Sequence, residues 1–143
     1  MSHIATPLMD LPRASDMTSM RAQRDLPDAL QRACLAAKTA FENKAEDVMI
    51  LDLTEITPVF DYFVIATGQS RRQVHTLVEE IDATMRSVGD ERMHVTGYES
   101  SKWVVQDYGD LVSHVFDAET RAYYNLEDLW ADAEKLDWRE EME

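Results

Sequence analysis

The sequence has few glycines, a single cysteine and no long apolar run. Its four glycines form neither a P-loop nor a dinucleotide-binding fingerprint, and it contains no Gly-x-Ser-x-Gly elbow of a serine hydrolase. A membrane-spanning helix needs about 20 consecutive apolar residues, and no stretch approaches that length. The lone Cys34 cannot form an internal disulfide. This predicts a cytoplasmic protein in which Cys34 is a small core residue rather than a reactive thiol.

Basic residues are scarce relative to acidic ones. The chain has 14 lysines and arginines against 28 aspartates and glutamates, which gives a formal net charge of −14. Binding to a phosphate backbone needs clustered cations, so this balance argues against direct contact with nucleic acid. It favours a basic protein partner that is attracted electrostatically, although an acidic balance also serves solubility alone.

The pattern divides the chain into one domain and two short tails. Residues 1–24 show no apolar period and contain Pro7 and Pro12, which predicts a mobile N-terminal tail. They also lack the apolar core of a secretory signal. Residues 25–137 are predicted to form a single α/β domain. Residues 138–143 are predicted to be an acidic, frayed C-terminal tail.

The first part of the domain is predicted to contain a helix and two strands. The helix begins near Asp25 and Pro27, which suit a helix start, and ends near residue 43. Strands follow at residues 48–53 and 61–68. The middle of the second strand is apolar at every position, which indicates that it is covered on both faces.

Residues 70–89 carry the clearest helical signal. Ser70 and Gln73 form a capping box at the start, and Gly89 ends the helix. The apolar residues at helical spacing are Val74, Leu77, Val78, Ile81, Met85 and Val88. A strand, a glycine turn and a capped helix in this order are typical of an α/β fold.

The rest of the domain is predicted to complete a sheet of about five strands flanked by helices. Strands are expected at residues 93–98, 102–107 and 110–116, and a short helical turn follows Asp117. Asn125 can cap a last helix. Its inward side chains are predicted to be Leu126, Leu129, Trp130, Ala133 and Leu136.

The hairpin at residues 103–116 (WVVQDYGDLVSHVF) is the most distinctive segment. A two-residue loop of Tyr108 and Gly109 would place Asp107 opposite Asp110, and Trp103 opposite His114. One face of the sheet would then carry Trp103, Val105, Val112, His114 and Phe116. The other face would carry Val104, Gln106, Leu111, Ser113 and Val115. A longer loop would change this register.

Two carboxylates at the corners of one turn need a physical explanation. Asp107 and Asp110 can each accept hydrogen bonds from nearby backbone amides, as in an Asx turn. They can instead form a metal or acid–base pair, or receive a lysine or arginine from a partner. Trp103 is either a core residue or an interface anchor. His114 is more often a hydrogen-bonded structural histidine than a catalyst.

The residues give little support for catalysis. A turn at residues 68–70 precedes a helix and can bind phosphate through backbone amides. Asp107 and Asp110 could then serve a metal-dependent, nucleotidyltransferase-like enzyme. Their spacing does not match that class, however, and no lysine or arginine accompanies them to neutralise a triphosphate. The four histidines show no metal-ligand spacing. No catalytic residue, metal or cofactor is therefore predicted, and nucleotidyl transfer is kept as the alternative function.

Three segments in fixed order resemble the ribosomal silencing factor family, also called the Iojap family. They are residues 61–74 (DYFVIATGQSRRQV), 103–116 (WVVQDYGDLVSHVF) and 121–130 (RAYYNLEDLW). Each segment alone would be weak, whereas the three together in this order are specific. The similarity extends over residues 28–133 or so.

The resemblance implies a regulatory protein that is not an enzyme. Family members bind the large ribosomal subunit at its fourteenth protein and sterically block joining of the small subunit, which represses translation when nutrients are scarce. The resemblance also implies a mixed α/β sheet, distantly similar to nucleotidyltransferases, and allows a homodimer through the sheet. Leu126, Leu129 and Trp130 are expected to pack inside the domain. The partner-binding residues carried over from the family are Trp103, Asp107, Tyr108, Gly109, Asp110, His114, Arg121 and Tyr124.

Overall fold

The computed structural model describes residues 26–142 of the chain. The predicted N-terminal tail at residues 1–24 lies outside them. The elements in chain order are α1 (Ala29–Glu42), β1 (Glu46–Asp52), β2 (Tyr62–Gly68), α2 (Arg71–Ser87), β3 (His94–Thr96), β4 (Trp103–Asp107), β5 (Leu111–Asp117), α3 (Ala118–Tyr124), α4 (Leu126–Leu129), β6 (Glu134–Leu136) and α5 (Trp138–Glu141). Within the described residues, no helix has both the length and the apolar character needed to cross a membrane.

The strands form one mixed sheet in the order β3-β4-β5-β2-β1-β6. Strands β2 and β5 are parallel, and the other neighbouring pairs are antiparallel. Helices α1 and α2 pack on one face, where Ala37, Val64 and Leu77 belong to the same core. The opposite face holds a second core that includes Phe63 and Leu126. The predicted mixed α/β sheet is confirmed, with six strands rather than about five.

Helix α2 is positioned by the signals that the sequence predicted. The Ser70 Oγ accepts a hydrogen bond from the Gln73 backbone amide at 3.0 Å. The Gln73 side chain accepts from the Gln69 amide at 2.6 Å, one residue before the helix cap. Gly89 has a φ of 89° and follows the helix, as predicted. The apolar stripe of α2 is buried and packs against the sheet in the first core.

Helix α1 begins later than predicted, because its N-terminal cap is Asp28. The Asp28 carboxylate accepts from the Gln31 backbone amide at 2.8 Å. Pro27 precedes the cap, and its carbonyl accepts from the Arg32 side chain at 2.9 Å. The first turn of α1 therefore brings Arg32 towards the end of the sheet where the hairpin turns.

The predicted last helix is wrong beyond its first turn. Helix α4 ends at Leu129, whose side chain is 75% exposed instead of buried. The chain then turns, and residues 134–136 pair with β1 as the sixth strand. Pairing satisfies backbone groups at the edge of β1 as well as those of the added strand, which outweighs the helical spacing of the apolar residues.

The C-terminal segment packs on the domain rather than fraying as predicted. Helix α5 brings the Trp138 ring to 5.7 Å from the ring of Phe41 on α1. The Arg139 guanidinium lies over both rings, 4.3 Å from the Phe41 centroid and 4.9 Å from the Trp138 centroid. These aromatic and cation–π contacts attach the end of the chain to α1.

Candidate partner-binding site

The β4–β5 hairpin has a different register from the predicted one. Trp103 pairs with Phe116, and Asp107 pairs with Val112. The Tyr108 backbone amide donates to the Leu111 carbonyl at 2.9 Å, so the loop consists of Gly109 and Asp110. The predicted pairing of Asp107 with Asp110 is therefore wrong. Gly109 has a φ of 95°, which explains why the tight turn is centred one residue later than predicted.

The predicted assignment of side chains to the two faces is nevertheless confirmed. The turn closes one residue later than predicted, so every residue of β4 pairs two positions further along β5, and a shift of two keeps the alternation of the faces. Trp103, Val105 and Phe116 lie in the core beneath α4. Val104 and Val115 lie in the core beneath α1 and α2.

Asp107 supports the turn from within the fold. Its side chain accepts from the Gly109 backbone amide at 2.7 Å, and the residue is 2% exposed. This is the Asx-type interaction that the sequence allowed as one explanation of the acidic turn. The carboxylate thereby stabilises the backbone conformation of the loop.

Asp110 is held by an arginine of the same chain. Arg32 donates from Nη1 and Nη2 to the two carboxylate oxygens of Asp110, at 3.1 and 2.7 Å. The same Nη1 donates to Asp90 at 2.8 Å. Arg32 is 3% exposed and the Asp90 side chain is fully buried, whereas the Asp110 side chain is 23% exposed. A cation at the turn was one of the three explanations considered, but it comes from Arg32 on α1 of the same chain and not from a partner.

Tyr108 is fully buried on the α2 side of the sheet. Its hydroxyl donates to the Asp82 carboxylate at 2.8 Å. Burial raises the pKa of Tyr108, and the hydrogen bond to the charged Asp82 raises it further. The side chain therefore ties the hairpin turn to α2 and is inaccessible to a partner in this conformation.

Removing this hydroxyl should destabilise the fold. We expect Tyr108→Phe to lower the free energy of unfolding by about 1–3 kcal/mol, because the buried Asp82 carboxylate loses one of its donors. Urea denaturation measures the change. Tyr98→Phe is the matched control, since the Tyr98 hydroxyl also donates to a carboxylate, that of Glu79, at 2.8 Å but at an exposed site. Equal losses in the two variants would contradict the assignment of a special role to burial.

Trp103 and His114 form a pair inside the second core. The Trp103 Nε1 donates to the His114 Nδ1 at 3.0 Å, and His114 is fully buried. Phe63 packs edge-on against the imidazole, with ring centroids 4.4 Å apart. Burial lowers the pKa of His114 to about 3, so the ring is neutral at physiological pH. Trp103 also stacks on Phe116 and is 8% exposed.

Arg121 and Tyr124 lie on α3, on the same face as Trp103. The Arg121 Nη1 donates to the Asp47 carbonyl at 2.6 Å and to the Thr67 Oγ1 at 2.7 Å, and its Nε pairs with Glu127 at 3.2 Å. Arg121 is 7% exposed, and its hydrogen bonds to Asp47 and Thr67 attach α3 to the sheet. Tyr124 is half-buried, and its ring centroid lies 5.3 Å from that of Trp103.

A surface cavity of about 410 Å³ opens beside Trp103 and Tyr124. Sequence analysis did not identify its other walls, which come from the β3–β4 turn and from α3. The pair Tyr123 and Tyr124 was the signal available in the sequence. Two successive residues of a helix cannot both face the sheet, so one of the two rings is expected at the surface. The lining residues from these walls include Lys102, Glu119, Thr120 and Tyr123.

The eight predicted site residues are thus distributed over two regions. The turn residues Asp107, Tyr108, Gly109 and Asp110 lie at one end of the hairpin. In the second group, Trp103 and His114 lie on the strands and Arg121 and Tyr124 lie on α3, which packs on the same face of the sheet. Among residues 26–142, no group of three or more histidine, cysteine or acidic side chains is placed to hold a metal ion. Cys34 is buried in the first core, as predicted.

The comparisons with known proteins agree with the family resemblance. A family model described as ribosomal silencing factor during starvation matches residues 26–143. The chain is 41% identical over 99 residues to the ribosomal silencing factor of Halalkalibacterium halodurans, and the match covers 69% of this chain and 85% of that protein. The ribosomal silencing factor of Bacillus subtilis is 40% identical over 103 residues, with coverages of 72% and 87%.

The solved structures add independent support for the fold. A crystal structure of a protein from Chromobacterium violaceum has a TM-score of 0.71 and 32% identity, and the match covers 73% of this chain and 88% of that one. The family model spans the whole described domain, including α5. The chain therefore belongs to the ribosomal silencing factor family, and its role is the ribosome-associated silencing that defines that family.

Proposed function

We propose that this protein binds the large ribosomal subunit through its fourteenth protein and sterically blocks joining of the small subunit. In this proposal the chain represses translation in the cytoplasm under nutrient limitation. The observation that carries it is the family match over residues 26–143. The net charge of −14 supports a basic protein, rather than ribosomal RNA, as the direct contact.

We propose that the predicted site residues contribute to partner binding in two ways, by direct contact or by holding the contact surface in shape. Tyr124 and the exposed part of Trp103 can touch the partner directly, because both line the surface cavity. Asp110 is also partly exposed. The other predicted residues are buried and would act by holding the hairpin and α3 in shape. They are Asp107, Tyr108, Gly109, His114 and Arg121.

Sedimentation of purified ribosomal subunits tests the proposal. When one molecule of the protein is added per large subunit before mixing, we expect it to sediment with the large subunit and the fraction of joined ribosomes to fall. The order of addition adds a second criterion. A steric block requires prior binding to the large subunit, so addition after joining should have a much smaller effect.

An unrelated acidic protein of similar size and net charge is the control, because a polyanion can weaken joining by binding magnesium or basic proteins non-specifically. This control should leave the joined fraction unchanged. Unchanged joining together with an absence of co-sedimentation would overturn the proposal. Co-sedimentation with the large subunit without any loss of joining would keep the binding partner and remove the steric mechanism.

A further inference from the structure

The segment of residues 118–132, here called the acidic corner, exposes two large apolar side chains. It comprises α3, α4 and the turn that follows. Tyr123 is 79% exposed and Leu129 is 75% exposed, the highest values among the large hydrophobic residues of the described chain. Single exposed apolar residues are common on protein surfaces, so their exposure alone does not indicate a binding site. The charges and the cavity around them have to be considered as well.

The acidic corner is rigidly attached to the sheet. Arg121 connects α3 to β1 and β2 through the Asp47 carbonyl and the Thr67 hydroxyl. Its ion pair with Glu127 joins α3 to α4. Asn125 occupies the left-handed region at φ 47° and fixes the change of direction between the two helices. A pre-organised surface loses little conformational entropy on binding, which favours its use as an interface.

The charges exposed on the acidic corner have one sign. Glu119, Asp128 and Asp132 are exposed, and all three are acidic. The cation of this segment, Arg121, is buried and paired with Glu127. Lys102, an exposed cation from the β3–β4 turn, is also among the residues that line the cavity. Exposed apolar side chains in a segment whose exposed charges are carboxylates complement a partner surface that is apolar and basic.

The cavity of about 410 Å³ adjoins this corner and can accept one side chain of a partner. Tyr123, Tyr124 and Trp103 supply its aromatic walls, and Glu119 lies among its lining residues. Its volume is within the range of pockets that bury small ligands or single large side chains. An apolar side chain entering here would meet ring surfaces, and cations beside it would lie near carboxylates.

We infer that the acidic corner and its cavity bind a protein segment in which one large apolar side chain stands between lysine or arginine residues. This inference rests on the proposed function and names the surface that receives the basic ribosomal partner. The apolar side chain occupies the cavity beside Tyr123, and the flanking cations pair with Glu119 and Asp128. Nucleic acid is disfavoured at this surface, because its phosphates would meet exposed carboxylates.

Variants of exposed residues test the inference with little risk to the fold. Tyr123→Ser and Glu119→Lys should each weaken binding to purified large subunits by about tenfold or more, as expected for an anchor and for a charge reversal. Tyr123→Phe should stay within about twofold of the unchanged protein, because it keeps the apolar ring. Glu80→Lys on the outer side of α2 is the charge control and should bind normally. Thermal unfolding checks that all four variants remain folded.

A synthetic peptide, Lys-Lys-Phe-Lys-Lys, provides a probe that does not depend on the ribosome. Nuclear magnetic resonance titration of the full chain should shift the amide signals of Thr120, Tyr123 and Tyr124, and added salt should weaken the binding. Tyr123→Ser should abolish these shifts. Peptide binding at this site without any subunit binding would support the inference and sink the proposed function. Normal subunit binding by Tyr123→Ser and Glu119→Lys, or peptide shifts located elsewhere, would overturn the inference and leave the proposed function standing.

Discussion

Arg32→Met is expected to lower the free energy of unfolding by about 3–5 kcal/mol, the cost of removing one partner from a buried ion pair. The guanidinium is 3% exposed and bridges Asp90 and Asp110 through bonds of 2.7–3.1 Å. Methionine keeps much of the apolar volume but supplies no donor. The two carboxylates would therefore be left close together without the cation that joins them. Urea denaturation monitored by tryptophan fluorescence measures the loss.

Arg86→Met is the matched control for this prediction. Arg86 also pairs with a carboxylate, that of Asp82 at 3.2 Å, but its side chain is 62% exposed. A pair exposed to this degree is worth roughly 0–1 kcal/mol, so the control should unfold almost like the unchanged protein. In the Arg32→Met background, Asp110→Asn should recover part of the loss, because it removes one of the two charges. Similar losses for Arg32→Met and Arg86→Met would contradict the prediction.

The second large effect is a loss of stability in mild acid caused by His114. Burial lowers the pKa of the folded ring to about 3, against 6.5 for the unperturbed side chain. Between these values the unfolded chain binds a proton that the folded chain does not, so stability falls as the pH drops below 6.5. The slope is about 1.4 kcal/mol per pH unit, which gives about 2–3 kcal/mol between pH 6.5 and 4.5.

The geometry around His114 explains why protonation is unfavourable. The Nδ1 accepts a hydrogen bond from the Trp103 indole, so a proton added there would face another donor. The Nε2 is buried and has no hydrogen-bond partner within residues 26–142. A charged ring would therefore lose one hydrogen bond and gain no compensating acceptor.

Unfolding curves at several pH values test this prediction. His114→Gln should reduce the difference in stability between pH 6.5 and 4.5 by about 2–3 kcal/mol, even if it lowers stability at neutral pH. His94→Gln, at an exposed histidine on β3, is the control and should keep the pH dependence of the unchanged protein. If His114→Gln and the unchanged protein lose the same amount of stability on acidification, the assignment to His114 fails.

Local signals predicted those parts of the fold that short-range chemistry determines. The Ser70 cap, the α2 stripe and Gly89 each depend on contacts with residues a few positions away, so the local sequence is enough to place the helix. The apolar middle of β2 likewise predicted burial on both faces. The faces of the hairpin were predicted because alternation along a strand does not depend on the length of the turn.

The contacts that sequence could not place are those between distant residues. Arg32 and Asp110 are 78 positions apart. Nothing near the turn in sequence indicates which basic residue binds which of its two carboxylates. The hairpin pairing depended on where the turn closed, and moving the turn by one residue displaced every partner by two positions. The end of the chain formed β6 because an edge of β1 was available for pairing, which the apolar spacing of residues 126–136 does not reveal.

The two outermost strands, β3 and β6, bear on the risk of aggregation. Each is three residues long, so the sheet offers another chain only a short row of unpaired backbone groups on either side. Without β6, the seven-residue β1 would become an edge with a longer row of such groups. The C-terminal strand therefore shortens the row of unpaired backbone groups that this side of the sheet offers to a second molecule.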